Sequence, residues 1–359
     1  MKLSRLIFKS PDARLLRLLF FFTIIAKAVV LLYVSEYGLV VFGEENDADY
    51  YHKYALGEIE IALNSWAGFL RWLNDCGVYS REVIRFFLGA LGAVVIPLLA
   101  ANIVVRDKAN HLKNYWHIAL IVSLYPTLFY YSLDIYRDVV MCCWFLVVVL
   151  CLQKLHESNF FLEKFLVLMG ILGFCTLLTS MRPYLGVSLI VSLVSIPLLG
   201  ARNFNAWVAG GLFVIGLNLL YAAGFLGDIM IYRAKFGAEL RGGSNLGIVF
   251  GSPFWFVPAL LQSLSVQMFG WYFHGFKAVF LFVFESAPVL LGLIYVCRNW
   301  RHANELSKFL CVFSIVYGAI WLLANDNMGT AVRLRIFNYI SIFLCVALIH
   351  VQKKKASRI

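Results

Sequence analysis

Apolar residues arrive in long runs broken by short polar stretches, and the runs are too long for core strands or ordinary buried helices. They cover residues 15–34, 83–105, 115–131, 139–152, 165–179, 184–199, 206–226, 271–296, 309–324 and 336–351. About 20 apolar residues suffice to carry a helix across a bilayer. The pattern therefore predicts an all-α, polytopic integral membrane protein of about ten transmembrane helices, a single domain over residues 1–359. Residues 247–264 fit less well, because Pro253 and Pro258 interrupt them. They are expected to form a re-entrant or interfacial piece within an external loop at 228–270.

The first run follows a basic start and resembles a signal peptide, with Ala26-Lys27-Ala28 a poor cleavage match. Its apolar character continues beyond that point, so an uncleaved first span is expected. Lys27 inside it should snorkel or face other helices. Polar residues first gather after this run, at Glu44, Glu45, Asn46, Asp47 and Asp49. From Ala55 to Cys76 apolar positions such as Ile61, Trp66, Phe69 and Trp72 mix with Glu58, Asn64, Arg71 and Asp75. Such a segment suits a membrane surface, and the external loop 44–82 is expected to carry interfacial helices.

Composition agrees with this reading. The chain has 359 residues, of which 62% are hydrophobic and 14% charged. Its mean hydropathy is +0.80, outside the range of soluble domains. A net charge of +11 would on a soluble protein point to nucleic acid. Here the basic residues crowd alternate loops instead, among them Arg106, Lys108, Lys113, Lys154, Lys164, Arg298, Arg301 and Lys353 to Lys355. That asymmetry places both termini in the cytoplasm and gives an even span count; no nucleic-acid partner is implied. Seven of eight cysteines fall in or beside apolar runs and only Cys76 lies in an outer loop, so no disulfide is expected.

The opposite side collects the remaining polar chemistry. Besides Asp47 and Asp49 it holds Asp134, Arg137 and Asp138 after the third run, Arg182 and Tyr184 after the fifth, and Arg333 and Arg335 before the last. Arg233, Lys235 and Arg241, in the longest loop, read as solvated charge. Moving a sugar from a lipid phosphate needs a base for the acceptor hydroxyl and positive charge, or a metal, on the departing phosphate. Asp47 or Asp49 could supply the base, with Asp138 the next choice. Arg182, Arg333 and Arg335 could hold the phosphate through their planar forks. In an extended loop the i, i+2 pair Asp47/Asp49 could face one site and could also bind a divalent cation, Mg²⁺ or Mn²⁺. Glu285 lies mid-span and needs a basic partner, an arginine or Lys277, or else handles substrate or protons.

Asp47-Ala48-Asp49 followed by an amphipathic stretch resembles the GT-C superfamily of membrane glycosyltransferases that use polyprenyl-linked sugars. So do Asp134 and Asp138, where that family often has a second acidic motif. Tyr125 to Ser132 with Arg137-Asp138, and Asn327 to Arg335, are similar to bacterial exopolysaccharide and O-antigen proteins. The resemblance implies a bacterial inner-membrane enzyme whose site faces the periplasm. It implies a polyprenyl-linked sugar donor, a glycan or lipid acceptor, membrane lipids around it, and other polysaccharide-assembly proteins as partners. The chain lacks the large C-terminal external domain of typical members, which disfavours a protein acceptor. Other readings are a repeat-unit polymerase for O-antigen or exopolysaccharide, a lipid-linked sugar transporter or flippase, and a structural assembly partner.

Overall fold

The computed structural model describes residues 12–37, 47–105, 108–199, 206–238 and 244–357. Glu44, Glu45, Asn46, Arg106 and Arg241 therefore lie outside the described residues. Among those described, every named element is helical, and the only extended pairing is one isolated bridge between Asn245 and Asn327. The protein is a multi-pass, all-α membrane protein. It divides into two compact units, Met1–Gly186 and Val187–Ile359.

In the first unit, α1 (Ala13–Tyr37) is followed by two short helices, α2 (Asp47–Leu56) and α3 (Ser65–Asp75). The long α4 (Arg81–Val104) comes next. Then come α5 (Lys108–Ser123), α6 (Pro126–Tyr131), α7 (Arg137–Glu157) and α8 (Phe161–Met181); α9 (Pro183–Leu199) starts here and runs on past the division. α5 packs on α1 and on the second half of α4, and α7 packs on α8. The third apolar run is not one span. Tyr125 precedes Pro126 and is extended (φ −69°, ψ 111°), as steric conflict with a following proline ring dictates, so the helix stops at Ser123 and restarts at Pro126. Lys27 reaches into this break and donates to the Ser123 carbonyl, an oxygen the helix end leaves unsatisfied.

The second unit contains α10 (Ala206–Ala222), α11 (Gly227–Ala238) and α12 (Pro253–Ser263). They are followed by α13 (Phe276–Arg298), α14 (Glu305–Ala324), α15 (Met328–Leu334) and α16 (Ile336–Ala356). α16 packs on α13 and α14, and α11 and α12 on α14. Together α15 and α16 form Met328–Ala356, the most enclosed of the long helices, with 78% of its apolar window buried.

Among the described residues seven helices are long and apolar enough to cross a membrane: α1, α4, α7, α8, α13, α14 and Met328–Ala356. An eighth crossing arises if 210–222 and 227–234, bent by 80° at their junction, form one broken span. Of the ten apolar runs, the one at 115–131 breaks, 184–199 makes a helix short for a full crossing, and 206–226 belongs to the bent pair. Residues 247–264 resolve into an irregular stretch followed by α12, which Pro253 opens. All eight cysteines are free of disulfides; the Cys311 and Cys345 sulfurs share a hydrogen bond at 3.4 Å.

Candidate functional site

The first unit gathers polar side chains where α4 and α7 begin and α8 ends. α3 is seated there by its own sequence. Asn64 caps it by accepting from the Trp66 and Ala67 amides at 3.1 and 3.3 Å, the usual work of an N-cap asparagine. One face turns Trp66 and Leu70 inward, while Phe69 and Trp72 stay exposed. Trp66 donates its indole N–H to the Ile135 carbonyl at 2.9 Å, and Ser65 meets Ser180 at 2.8 Å. The loop before α3 is held by Tyr50, whose hydroxyl donates to Ile61 O and accepts from the Leu63 amide.

Arg81 is the hub of this region. Its Nε and Nη2 donate to the two carboxylate oxygens of Asp134 at 3.1 and 2.6 Å. Nη2 also reaches Asp49 at 2.8 Å. One turn on, Arg85 lies 3.6 Å from Asp134 and donates to Ser35. Asp134 accepts the Ile135 amide as well, so its orientation is overdetermined. The side chains keep partial access to solvent: 36% for Asp49, 23% for Arg81 and 17% for Asp134. Gly92 lets this corner close, since a Cβ there would stand 2.6 Å from the Ser132 Cβ. The backbone around it makes a π-helical turn, Leu91–Val95, a form common at functional sites.

Asp47 and Asp49 are not in an extended loop. They open α2, where carboxylates complement the helix dipole. Side chains two positions apart on a helix diverge by about 200°. Asp49 thus turns toward Arg81 while Asp47 is exposed. The two do not fit as joint ligands of one cation, and among the described residues no group of three or more His, Cys, Asp or Glu could hold a metal.

Asp138 and Arg182 form a sealed pair at 3.0 Å, with side chains 0% and 3% exposed. Asp138 has no access to solvent there, and the Arg182 guanidinium faces its carboxylate; Tyr184 lies beside the guanidinium, 5.8 Å from it. Arg137 is different. It is only partly buried and steadies itself on the Met181 carbonyl.

In the second unit the nominated charges are enclosed. Glu285 is bound by Arg335 at 3.3 Å, so an arginine is among its partners. Glu285 sits in a π-helical turn, Phe282–Ser286. The Arg335 guanidinium also lies over the Tyr339 ring and packs near Gly270, whose φ of +67° favours glycine. Arg333, 9% exposed, lies on α15. Arg233 is no solvated loop charge. It is 6% exposed, pairs with Asp326, and donates to carbonyls of Ile248, Leu322, Leu323 and Asn325. It thereby caps the end of α14.

Arg81 and Arg85 escaped the sequence reading, although two arginines at i, i+4 in the first turns of an apolar run are costly enough to mark a site. His52 escaped it too. Its Nδ1 and the Tyr79 hydroxyl are 2.9 Å apart, and the two rings stack. Burial, and next the Arg81 charge, lower the imidazole below its ordinary range, while burial lifts the Tyr79 phenol to about 12. Compared with protein-family models, curated proteins and solved structures, the chain matches none.

Proposed function

We propose that this protein is a membrane glycosyltransferase. It moves a sugar from a polyprenyl-phosphate donor to a glycan or lipid acceptor at the periplasmic face of a bacterial inner membrane, in cell-surface polysaccharide synthesis. The observation that carries the reading is the convergence on Arg81. Asp49, 32 residues before it, and Asp134, 53 residues after it, share one guanidinium. These are the first-loop and third-run acidic positions that the GT-C resemblance singles out.

In this reading the Arg81 cluster is a fixed polar surface that orients the acceptor hydroxyl through Asp49, the more exposed carboxylate. Arg137 meets the phosphate, because it alone among the four nominated arginines is not enclosed. A preorganised charge of this kind stabilises the leaving group without reorganising during reaction. The experiment is transfer of labelled sugar from purified lipid carrier in vesicles, comparing wild type with Asp49→Asn and Arg137→Gln. Both variants should insert normally and lose turnover.

A second reading, transport of a lipid-linked sugar, is favoured by one observation. Glu285 and Arg335 are a buried charge pair inside two spans of the second unit, and transporters keep such charges at depth. The same vesicles discriminate. Movement of the lipid-linked sugar across the bilayer with no new glycosidic bond would sink the enzyme reading.

A further inference from the structure

Resting on the glycosyltransferase reading, we propose that His52 is the proton acceptor of the reaction, with Tyr79 as its positioning residue. The carboxylates first in line are otherwise engaged. Asp49 and Asp134 are tied to Arg81, and Asp138 is sealed against Arg182. His52 lies three residues after Asp49 on α2, so the two share a helix face. Its Nδ1 is fixed by Tyr79, which directly precedes the Ser80 cap of α4 and is two residues from Arg81. Its Nε2 has no hydrogen-bond partner among the described residues, and the ring is only partly buried. A histidine with one nitrogen oriented and the other open is the arrangement a general base requires.

Several charged groups act on the ring: Arg81 opposes its protonation, while Glu58, Asp134 and Asp49 favour it. α3, packed against α2, brings Arg71 and Asp75, which pair with each other. The depressed imidazole is neutral near pH 7 and can take a proton there.

In the step, Nδ1–H donates to the Tyr79 oxygen, leaving the Nε2 lone pair available. The acceptor hydroxyl oxygen bonds to the anomeric carbon of the donor sugar. The bond from that carbon to the phosphate oxygen breaks, and the phosphate leaves with the electron pair. The hydroxyl proton passes to Nε2, giving an imidazolium that later releases it to water.

The test is the pH dependence of sugar transfer from purified lipid-linked donor by the full-length protein in vesicles. Wild type should lose kcat on the acidic side as His52 is protonated. His52→Ala should lower kcat by about 10²–10⁴-fold with little change in KM, flatten that acidic limb, and regain part of the rate with added imidazole. Tyr79→Phe should keep the limb at a lower rate. Because the variant could perturb α2, size-exclusion behaviour and lipid-carrier binding are measured alongside. A His52→Ala protein with wild-type rate and an intact acidic limb overturns the assignment alone; so does loss of rate without imidazole rescue or any change in the limb. A wild type that forms no glycosidic bond overturns the function and this role together.

Discussion

The Arg81 cluster and the Glu285–Arg335 pair are built from the same side-chain types and behave differently. Arg81 divides its guanidinium between two carboxylates that keep 36% and 17% exposure. Arg335 and Glu285 are 1% and 0% exposed and lie between a glycine, a tyrosine ring and a serine. Arg233 with Asp326 repeats the enclosed arrangement. An ion pair with access to solvent can exchange a partner for a substrate group. One without access must keep both partners, since a lone buried charge is far more costly than the pair. Charge at a helix mouth is therefore not enough to mark a site; the remaining exposure decides which charges can do chemistry.

The largest effect should come from cutting an enclosed pair. Arg335→Leu should destabilise the protein by about 3–5 kcal/mol, read as thermal unfolding in detergent, and the double variant with Glu285→Leu should recover most of the loss. A stable single variant would break the comparison at once. Next, Arg81→Lys should keep the fold yet lower turnover about tenfold to a hundredfold, the worth of one charge-assisted hydrogen bond. Lysine keeps the charge but cannot span Asp49 and Asp134 together. Should Arg81→Lys unfold the protein as Arg335→Leu does, the two regions are alike after all.

Gly92→Ala sharpens the comparison at a smaller scale. Its Cβ must push Ser132 away, at a cost of about 1–3 kcal/mol, and the shift should reach Asp134 through the same loop; activity should fall more than the melting temperature implies. The smallest effect concerns pH. The fold holds His52 below its unfolded value of 6.5. Between 6.5 and the lower folded value the unfolded chain binds a proton that the folded chain does not. Stability is thus fully present above pH 6.5 and falls as the pH drops through that window. Denaturant midpoints from pH 7.5 to 5 should show this decline, and His52→Gln should flatten it.

Much of the fold was legible because hydropathy fixes helices of spanning length. The apolar runs at 83–105, 139–152 and 309–324 lie within or against α4, α7 and α14. The break at Tyr125–Pro126 was legible too, from the proline alone, and was overridden by the apolar residues around it. Asp47 and Asp49 belong to the same class: acids at a helix start and Lys53 in its last turn are a helix signal, which the i, i+2 spacing obscured. The partnerships were not legible. Nothing along the chain links Arg81 and Arg85 to Asp49 and Asp134; only the folded chain brings the four together. Nor could sequence separate Arg137 from Arg182, because burial depends on what packs above a helix end.

The bond from Lys27 to the Ser123 carbonyl joins residues 96 positions apart, and this sets a schedule for biogenesis. A lysine central to a first span costs about 2.5–3.5 kcal/mol at insertion. Its acceptor is not yet synthesised when α1 leaves the ribosome. At about 5–20 residues per second the wait is roughly 5–20 seconds. During that interval α1 is a poorly anchored helix, which must stay near the insertion machinery or tilt its ammonium group to the surface until α5 arrives to neutralise the cost.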